Sequence, residues 1–303
     1  MLRRGVAVAL PLLLSGGAWA GGKGTTAAGF LKAGDGARAE GMAEAYSALS
    51  ADAGAVYWNP GALATLKKRC VMLMQSASLE STVYSYGAYA QNVGNKWGFG
   101  AAVQYQSAGT IESRDVDGFE TGKFTPSDTA FSLGAARRVG AAAVGVVVKL
   151  VRSKIVDSAS AVTGDLGVRF PGLLGGKASA ALTATNVGGK IRYDRVTEDL
   201  PSAYRLGLGF RPGKRLLLGL DAVSSNDDGV YVAAGFETTV VRAKRFSLAF
   251  RGGYNTRSSG DAGAMSGAAF GLGFLSRGLG VDYAFLPMGD LGASHRVSLS
   301  YSF

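Results

Sequence analysis

Period-two alternation is the feature that most constrains this chain. The last nine residues, HRVSLSYSF (295–303), set Val297, Leu299, Tyr301 and Phe303 against Arg296, Ser298, Ser300 and Ser302. Successive side chains of a strand point to opposite faces, so such a segment needs an apolar layer on one side and a wet one on the other. A half-buried sheet of a soluble protein meets that need, and so does a membrane barrel with lipid outside and water inside. Chain ends are ordinarily frayed and polar. A closed barrel, however, must pair its last strand with its first to satisfy the backbone.

The alternation recurs upstream. Trp97, Phe99, Ala101, Val103 and Tyr105 share one face of a segment whose other face is Gly98, Gly100, Ala102, Gln104 and Gln106. Tyr204, Leu206, Leu208 and Phe210 oppose Arg205, Gly207, Gly209 and Arg211, and Phe270, Leu272 and Phe274 oppose Gly271 and Gly273. One face is aliphatic with aromatics near its ends, as a lipid-facing band with girdles requires. Strands are predicted at 69–77, 82–91, 96–108, 128–138, 141–153, 160–170, 177–187, 202–211, 215–224, 230–240, 244–253, 264–274, 278–286 and 294–303. Most have about the 9–11 residues a tilted membrane strand needs, and their number is even. The segments 69–77 and 141–153 alternate poorly.

The connections alternate too. Short turns such as NVGN, PGK and LSRG interleave with long ones at 109–126 and 188–201. In membrane barrels the short turns are periplasmic and the long loops extracellular, which puts both chain ends in the periplasm. Acidic residues gather in the long loops (Asp115, Asp117, Glu120, Glu198, Asp199, Asp227, Asp228). Basic ones gather at the short turns (Arg137, Arg138, Arg211, Lys214, Arg242, Lys244, Arg277), where they would contact lipid phosphates.

Residues 1–20 read as a secretory signal peptide: Arg3 and Arg4, an apolar run, then Ala18-Trp19-Ala20 before the cut. The run is too short for a spanning helix. The single cysteine, Cys70, excludes an internal disulfide framework. Glycine, 46 of 303 residues, is about twice its usual share. The net charge of +10 falls to +8 without Arg3 and Arg4, and its dispersal argues against nucleic-acid binding.

Residues 21–68 differ from the rest. ARAEGMAEAYSAL (37–49) places Ala37, Met42, Ala45, Tyr46 and Leu49 near one helical face, and Asn59-Pro60 turns into a second short helix. The segment is too small to fold alone. A barrel of fourteen strands has a lumen too wide for its own side chains to fill. The segment is therefore expected to plug the lumen of the barrel formed by 69–303, the alternative being a periplasmic helix packed beneath it.

GTTAAGFLKAGDGARAEGMAEAYSALSADAGAVYWNPGALATL (24–66) closely resembles the N-terminal signature of the PorV/PorQ group within the FadL-like outer-membrane proteins, and GVDYAFLPMGDLGASHRVSLSYSF (280–303) resembles that group's C-terminal end. The resemblance implies an all-β, fourteen-stranded outer-membrane barrel of a Gram-negative-type cell, with a short helical hatch in its lumen. FadL-like members carry hydrophobic small molecules, whereas PorV-like members are non-enzymatic partners of secreted cargo in type IX secretion. By this resemblance the hatch and substrate path would use Arg38, Gly41, Met42, Tyr46, Trp58, Asn59, Pro60 and Gly61. The family often reads Asn-Pro-Ala where this chain has Asn59-Pro60-Gly61, and glycine at a helix start implies a looser hatch. Tyr301 and Phe303 resemble the C-terminal signal read by the barrel assembly machinery.

Catalytic chemistry finds little support. His295 is the only histidine, which excludes a His-rich metal site, and its place in the C-terminal motif points to packing at the rim. GLLGGKA (172–178) is one residue short of a phosphate loop and reads as a turn. No enzyme activity, metal or cofactor is expected. Arg205, Asp221, Glu237, Arg251, Asp282 and Arg296 all face the lumen in this register, either as salt bridges bracing barrel and hatch or as a lining that guides a substrate headgroup. Three roles remain open: passive transport of hydrophobic molecules, docking of secreted cargo, or a purely structural barrel.

Overall fold

The computed structural model describes residues 24–77, 82–193, 195–258 and 265–303. The signal-peptide reading therefore lies outside the described residues. Fourteen strands form one closed antiparallel barrel. They are Cys70–Ala77, Val83–Val93, Trp97–Ser107, Ser127–Val139, Ala142–Lys154, Ser158–Leu173, Ala178–Val187, Ala203–Phe210, Leu216–Ser225, Gly229–Arg242, Phe246–Asn255, Ala268–Ser276, Leu279–Pro287 and Ala293–Ser302. Each pairs with its sequence neighbours. The seam closes where Cys70 lies opposite Ser302 and Ser76 opposite Arg296. Arg69 and Phe303 extend that pairing by exchanging backbone hydrogen bonds of 3.1 and 3.0 Å.

The alternation sorts the side chains as the sequence predicts. Phe131, Leu133, Leu206, Leu208, Leu272 and Leu299 stand exposed on the outer face, as a lipid-facing band requires. Tyr301 and Phe303 stack on the same face with ring centroids 5.6 Å apart. The two poorly alternating strands are explained by what lies inside. Met72, Met74, Val147 and Val151 point inward yet are buried, because the N-terminal segment meets them there.

Two of the long connections contain structure that reads as loop in the sequence. Ile111–Arg114 pairs with Glu120–Phe124 in an exposed hairpin. Its tip is built on Asp115, whose carboxylate accepts hydrogen bonds from the backbone N–H groups of Asp117 and Phe119. Lys190–Tyr193 pairs with Val196–Asp199. This second hairpin tucks inward: Ile191 and Leu200 are fully buried in the apolar cluster that includes Phe30 and Leu31.

Candidate functional site in the barrel lumen

Residues 24–68 run through the lumen as short turns of helix: Gly29–Lys32, Ala37–Glu40, Ala55–Trp58 and Pro60–Thr65. The wall admits them because its inward positions are so often glycine. A Cβ on Gly98 would overlap the backbone of Leu63 and Ala64, one on Gly145 that of Pro60, and one on Gly235 or Gly253 that of Met42. Gly41 itself passes within 3.0 Å of Gly271, measured from the position a Cβ would take. Close backbone approach, not flexibility, accounts for these glycines.

The single helix expected over 37–49 does not form. The α-helix stops at Glu40, and Ala43 and Glu44 have positive φ angles of 54° and 70°. A straight helix of thirteen residues would run about 20 Å, but here the backbone presses on the wall at Met42 and must turn to follow its curvature. The break also frees the Glu44 carbonyl to accept from Arg205 at 2.9 Å. The looser start expected at Gly61 is likewise overturned. A Cβ there would lie 2.6 Å from the Ala143 carbonyl oxygen and 2.9 Å from that of Gly167, so glycine marks a tight fit.

The other residues singled out in the segment occupy distinct places. Asn59 is fully buried: its Oδ1 accepts from Gly61 N–H at 2.9 Å, while its Nδ2 donates to the carbonyls of Ser47 and, across to the wall, Val168. Pro60 lies on Gly145 and Gly167. Trp58 donates from Nε1 to the Asp35 carbonyl at 2.6 Å and lies under the Arg205 guanidinium, 5.2 Å from the ring centre. Tyr46 packs within the segment, edge-on to Trp58 and donating to Asp52 at 2.6 Å. Met42 is fully buried against the wall.

The six lumen charges are all paired, most of them directly to the segment. Arg38 makes a two-pronged contact with Glu237, both bonds 2.8 Å. Glu237 also accepts from Arg251 at 2.7 Å, and Arg251 reaches Asp282 at 2.7 Å. Arg205 bridges Asp221, at 3.1 Å, to the Glu44 carbonyl. Arg296 pairs with Glu40 at 3.2 Å and donates to the carbonyls of Ala33 and Gly34. His295 sits on the outer rim, where its Nδ1 meets the Tyr283 hydroxyl at 2.7 Å. Residues 174–176 form a short turn.

Sequence reading missed a second buried charge cluster. Lys149 pairs with Asp165 at 2.8 Å and donates to Asn186 at 2.8 Å, with both charged side chains almost wholly buried. Asn186 has φ +54° at a bulge where the strand pairing slips. Lys149 is hidden in the near-continuous apolar run VVVKLV, where period two has no visible register. Asp35 escaped notice too. It is buried and accepts from the Tyr84 hydroxyl. Burial pushes its carboxyl up to about 7, against the opposing pull of the Tyr84 hydrogen bond, Lys149 and Arg296, with Glu40 adding to the rise.

At the long-loop end a cavity of about 450 Å³ opens between the segment and the wall. Its apolar lining includes Ala33, Ala43, Ala269, Leu286 and Met288, and the ion pairs Glu40–Arg296 and Glu44–Arg257 edge it.

The family model described as "Type IX secretion system protein PorV" matches residues 22–212. No curated protein matches the sequence. Among solved structures the fold is similar to the Ralstonia pickettii toluene transporter TbuX, with 11% identity over 86% of this chain and 97% of that one at a TM-score of 0.55. The Pseudomonas putida toluene transporter TodX gives 12% identity over 82% and 93%, TM-score 0.54. A Pseudomonas aeruginosa FadL homologue gives 11% over 88% and 97%, TM-score 0.56. At such identities the likeness is one of fold.

Proposed function

This chain belongs to the PorV family, as an outer-membrane β-barrel and not an enzyme, and we propose that it is a passive conduit for small hydrophobic molecules, gated by its N-terminal hatch. The observation that carries the reading is the cavity between segment and wall. It is large enough for a small ligand, and its lining joins an apolar stretch that includes Ala269, Leu286 and Met288 to charged side chains that include Lys32, Glu40 and Asp228. A purely structural plug would have no use for such a space beside an otherwise close-packed interface. In this reading the substrate enters from the long-loop side, contacts Ala269 and Met288, and passes when the hatch shifts. The chain ends lie in the periplasm, and Tyr301 and Phe303 serve the barrel assembly machinery and face lipid.

The test is uptake of a fluorescent alkyl or aromatic probe into proteoliposomes. Filling the cavity with Ala269→Trp should slow uptake severalfold while the barrel still inserts. Unchanged uptake would overturn the proposal.

A second reading has its own support in the family description and in Val116 and Phe119, which stand exposed on the hairpin tip. There the barrel would be a docking partner for secreted cargo proteins. Replacing both with serine should then abolish co-purification of cargo and leave probe uptake unchanged. If the transport reading holds instead, the cavity variant alone has an effect.

A further inference from the structure

The two ends of the barrel differ in charge far more than the net charge of the chain requires. Six short turns and the lead-in to the first strand make up one rim: 66–69, 93–97, 137–141, 173–178, 211–215, 242–246 and 276–278. These stretches hold fourteen lysines and arginines and none of the 22 aspartates and glutamates in the sequence. Every stretch has at least one cation, so the charge is a ring. None of these cations forms a side-chain ion pair among the described residues. At the other end both signs are present and some of them pair, as in Arg114–Glu112 and Lys190–Asp199.

The ring lies at a definable depth. Trp97, Phe210, Phe246 and Phe303 stand exposed on the outer face next to it, where an aromatic girdle marks the edge of the hydrocarbon. The Arg137 guanidinium lies 5.0 Å over the Trp97 ring centre, just beyond that edge. Lipid phosphates occupy this level.

At the barrel seam the ring becomes concave. Lys67, Lys68 and Arg69 surround a pocket of about 280 Å³ together with Asn92, Asn95 and Phe303. Its frame is fixed. Arg69 and Phe303 are joined by two backbone hydrogen bonds, and Asn92 is anchored to the Ala64 carbonyl at 2.6 Å. Three cations in the lining of one pocket, next to the exposed Phe303, suit a group with a single diffuse negative charge and several acceptor oxygens, attached to apolar chains that lie along the barrel.

We propose that this pocket binds the phosphodiester headgroup of an anionic phospholipid in the leaflet facing the short turns, and that the surrounding ring enriches such lipids around the barrel. The site lies at the short-turn end, where the lumen segment joins the first strand, and shares no lining residue with the cavity at the long-loop end.

The test uses the full barrel in nonionic detergent, with phosphatidylglycerol and phosphatidylcholine of identical acyl chains as probes and native mass spectrometry as the readout. Phosphatidylglycerol should be retained about tenfold better, the scale expected when a few basic residues act together at a charged interface. The preference should shrink with added salt, because exposed charges are screened. Lys67→Gln/Lys68→Gln/Arg69→Gln should lower phosphatidylglycerol retention to the phosphatidylcholine level, and Lys190→Gln/Arg192→Gln at the opposite end should not. If the triple variant fails to show the heat-modifiable mobility of a folded barrel, Lys67→Gln/Lys68→Gln, which leaves the seam residue intact, takes its place. Equal retention of the two lipids, or unchanged retention in the rim variant, would overturn the proposal. Complete displacement by excess inorganic phosphate would also overturn it, because the pocket would then be a site for free anions.

Discussion

Gly61 shows how a residue's local preference and its tertiary role can take opposite signs. By helix propensity alanine should be better by up to about 1 kcal/mol. The wall carbonyls of Ala143 and Gly167 leave no room for its methyl group, and overpacking costs about 1–3 kcal/mol. Gly61→Ala should therefore lower the denaturant midpoint of the detergent-solubilised barrel, whereas Gly172→Ala, with no atom within 4 Å of the added carbon, should leave it nearly unchanged. Asp35 has an acid-dependent role of the same local kind. Its carboxyl titrates near 7 inside the barrel against a reference value of 3.8, so the docked segment binds more protons than the undocked one between those values. Stability then falls as pH rises from about 4 to about 7, and the loss is complete above that. Hydrogen exchange across 25–66, corrected for its intrinsic pH dependence, should be slower at pH 5 than at pH 8, and Asp35→Asn should reduce the difference, leaving the part that belongs to Glu40, whose carboxyl burial likewise pushes up to about 7. Arg205 and Asp221 make a third case. Removing Arg205 leaves the buried Asp221 carboxylate without its cation, at a cost of about 3 kcal/mol, whereas removing Asp221 costs less because Arg205 keeps the Glu44 carboxylate at 3.7 Å. Exchanging the two should recover part of that loss in thermal unfolding. Recovery should be incomplete, because Arg205 also serves the Glu44 carbonyl and covers Trp58.

Individual elements differ in how plainly the sequence announces them. The barrel strands are legible because lipid on one side and a small-residue lumen on the other enforce period two, and the segment WGFGAAVQYQ carries both faces in full view. Ala142–Lys154 is harder to read, since its inward Val147 and Val151 meet the apolar segment inside and the alternation fades. The hairpin Ile111–Arg114/Glu120–Phe124 is invisible to a hydropathy pattern because both its faces are wet. Within residues 24–68 burial was legible but shape was not: the turns at Ala43 and Glu44 answer to a curved wall built by strands far away in sequence. The last strand yields a prediction at this scale. Phe303 exchanges backbone hydrogen bonds with Arg69 and stacks on Tyr301 at the lipid face. Deleting Phe303 should remove the final pairing of the seam and lower the amount of heat-modifiable folded protein in outer membranes. Full levels of folded protein would show that closure does not depend on that residue.

For the molecule as a whole, wall and segment are each shaped for the other. Glycines at 98, 145, 235, 253 and 271 leave the wall without side chains where the segment's backbone lies, so the barrel alone would enclose a wide, smooth lumen. The segment alone is a string of helical turns of four to six residues, far too short to persist in water. Its attachment combines apolar burial around Met42 and Leu63 with the ion pairs Arg38–Glu237, Glu44–Arg257 and Glu40–Arg296. These contacts spread over the barrel circumference, so a local opening at the cavity need not release the whole segment. Deletion of 25–66 removes all of them together. The vacated space is lined by Arg205, Asp221, Glu237, Arg251 and Asp282, which water would solvate. In planar bilayers the deleted form should conduct small ions in discrete, long-lived steps, while the intact chain conducts little. The contrast should be insensitive to the probe molecules that the intact barrel would carry, since ions would cross through the emptied lumen and not through the cavity. Equal conductance of the two forms would mean that the segment does not seal the barrel, and a hatch-gated conduit would then have no gate.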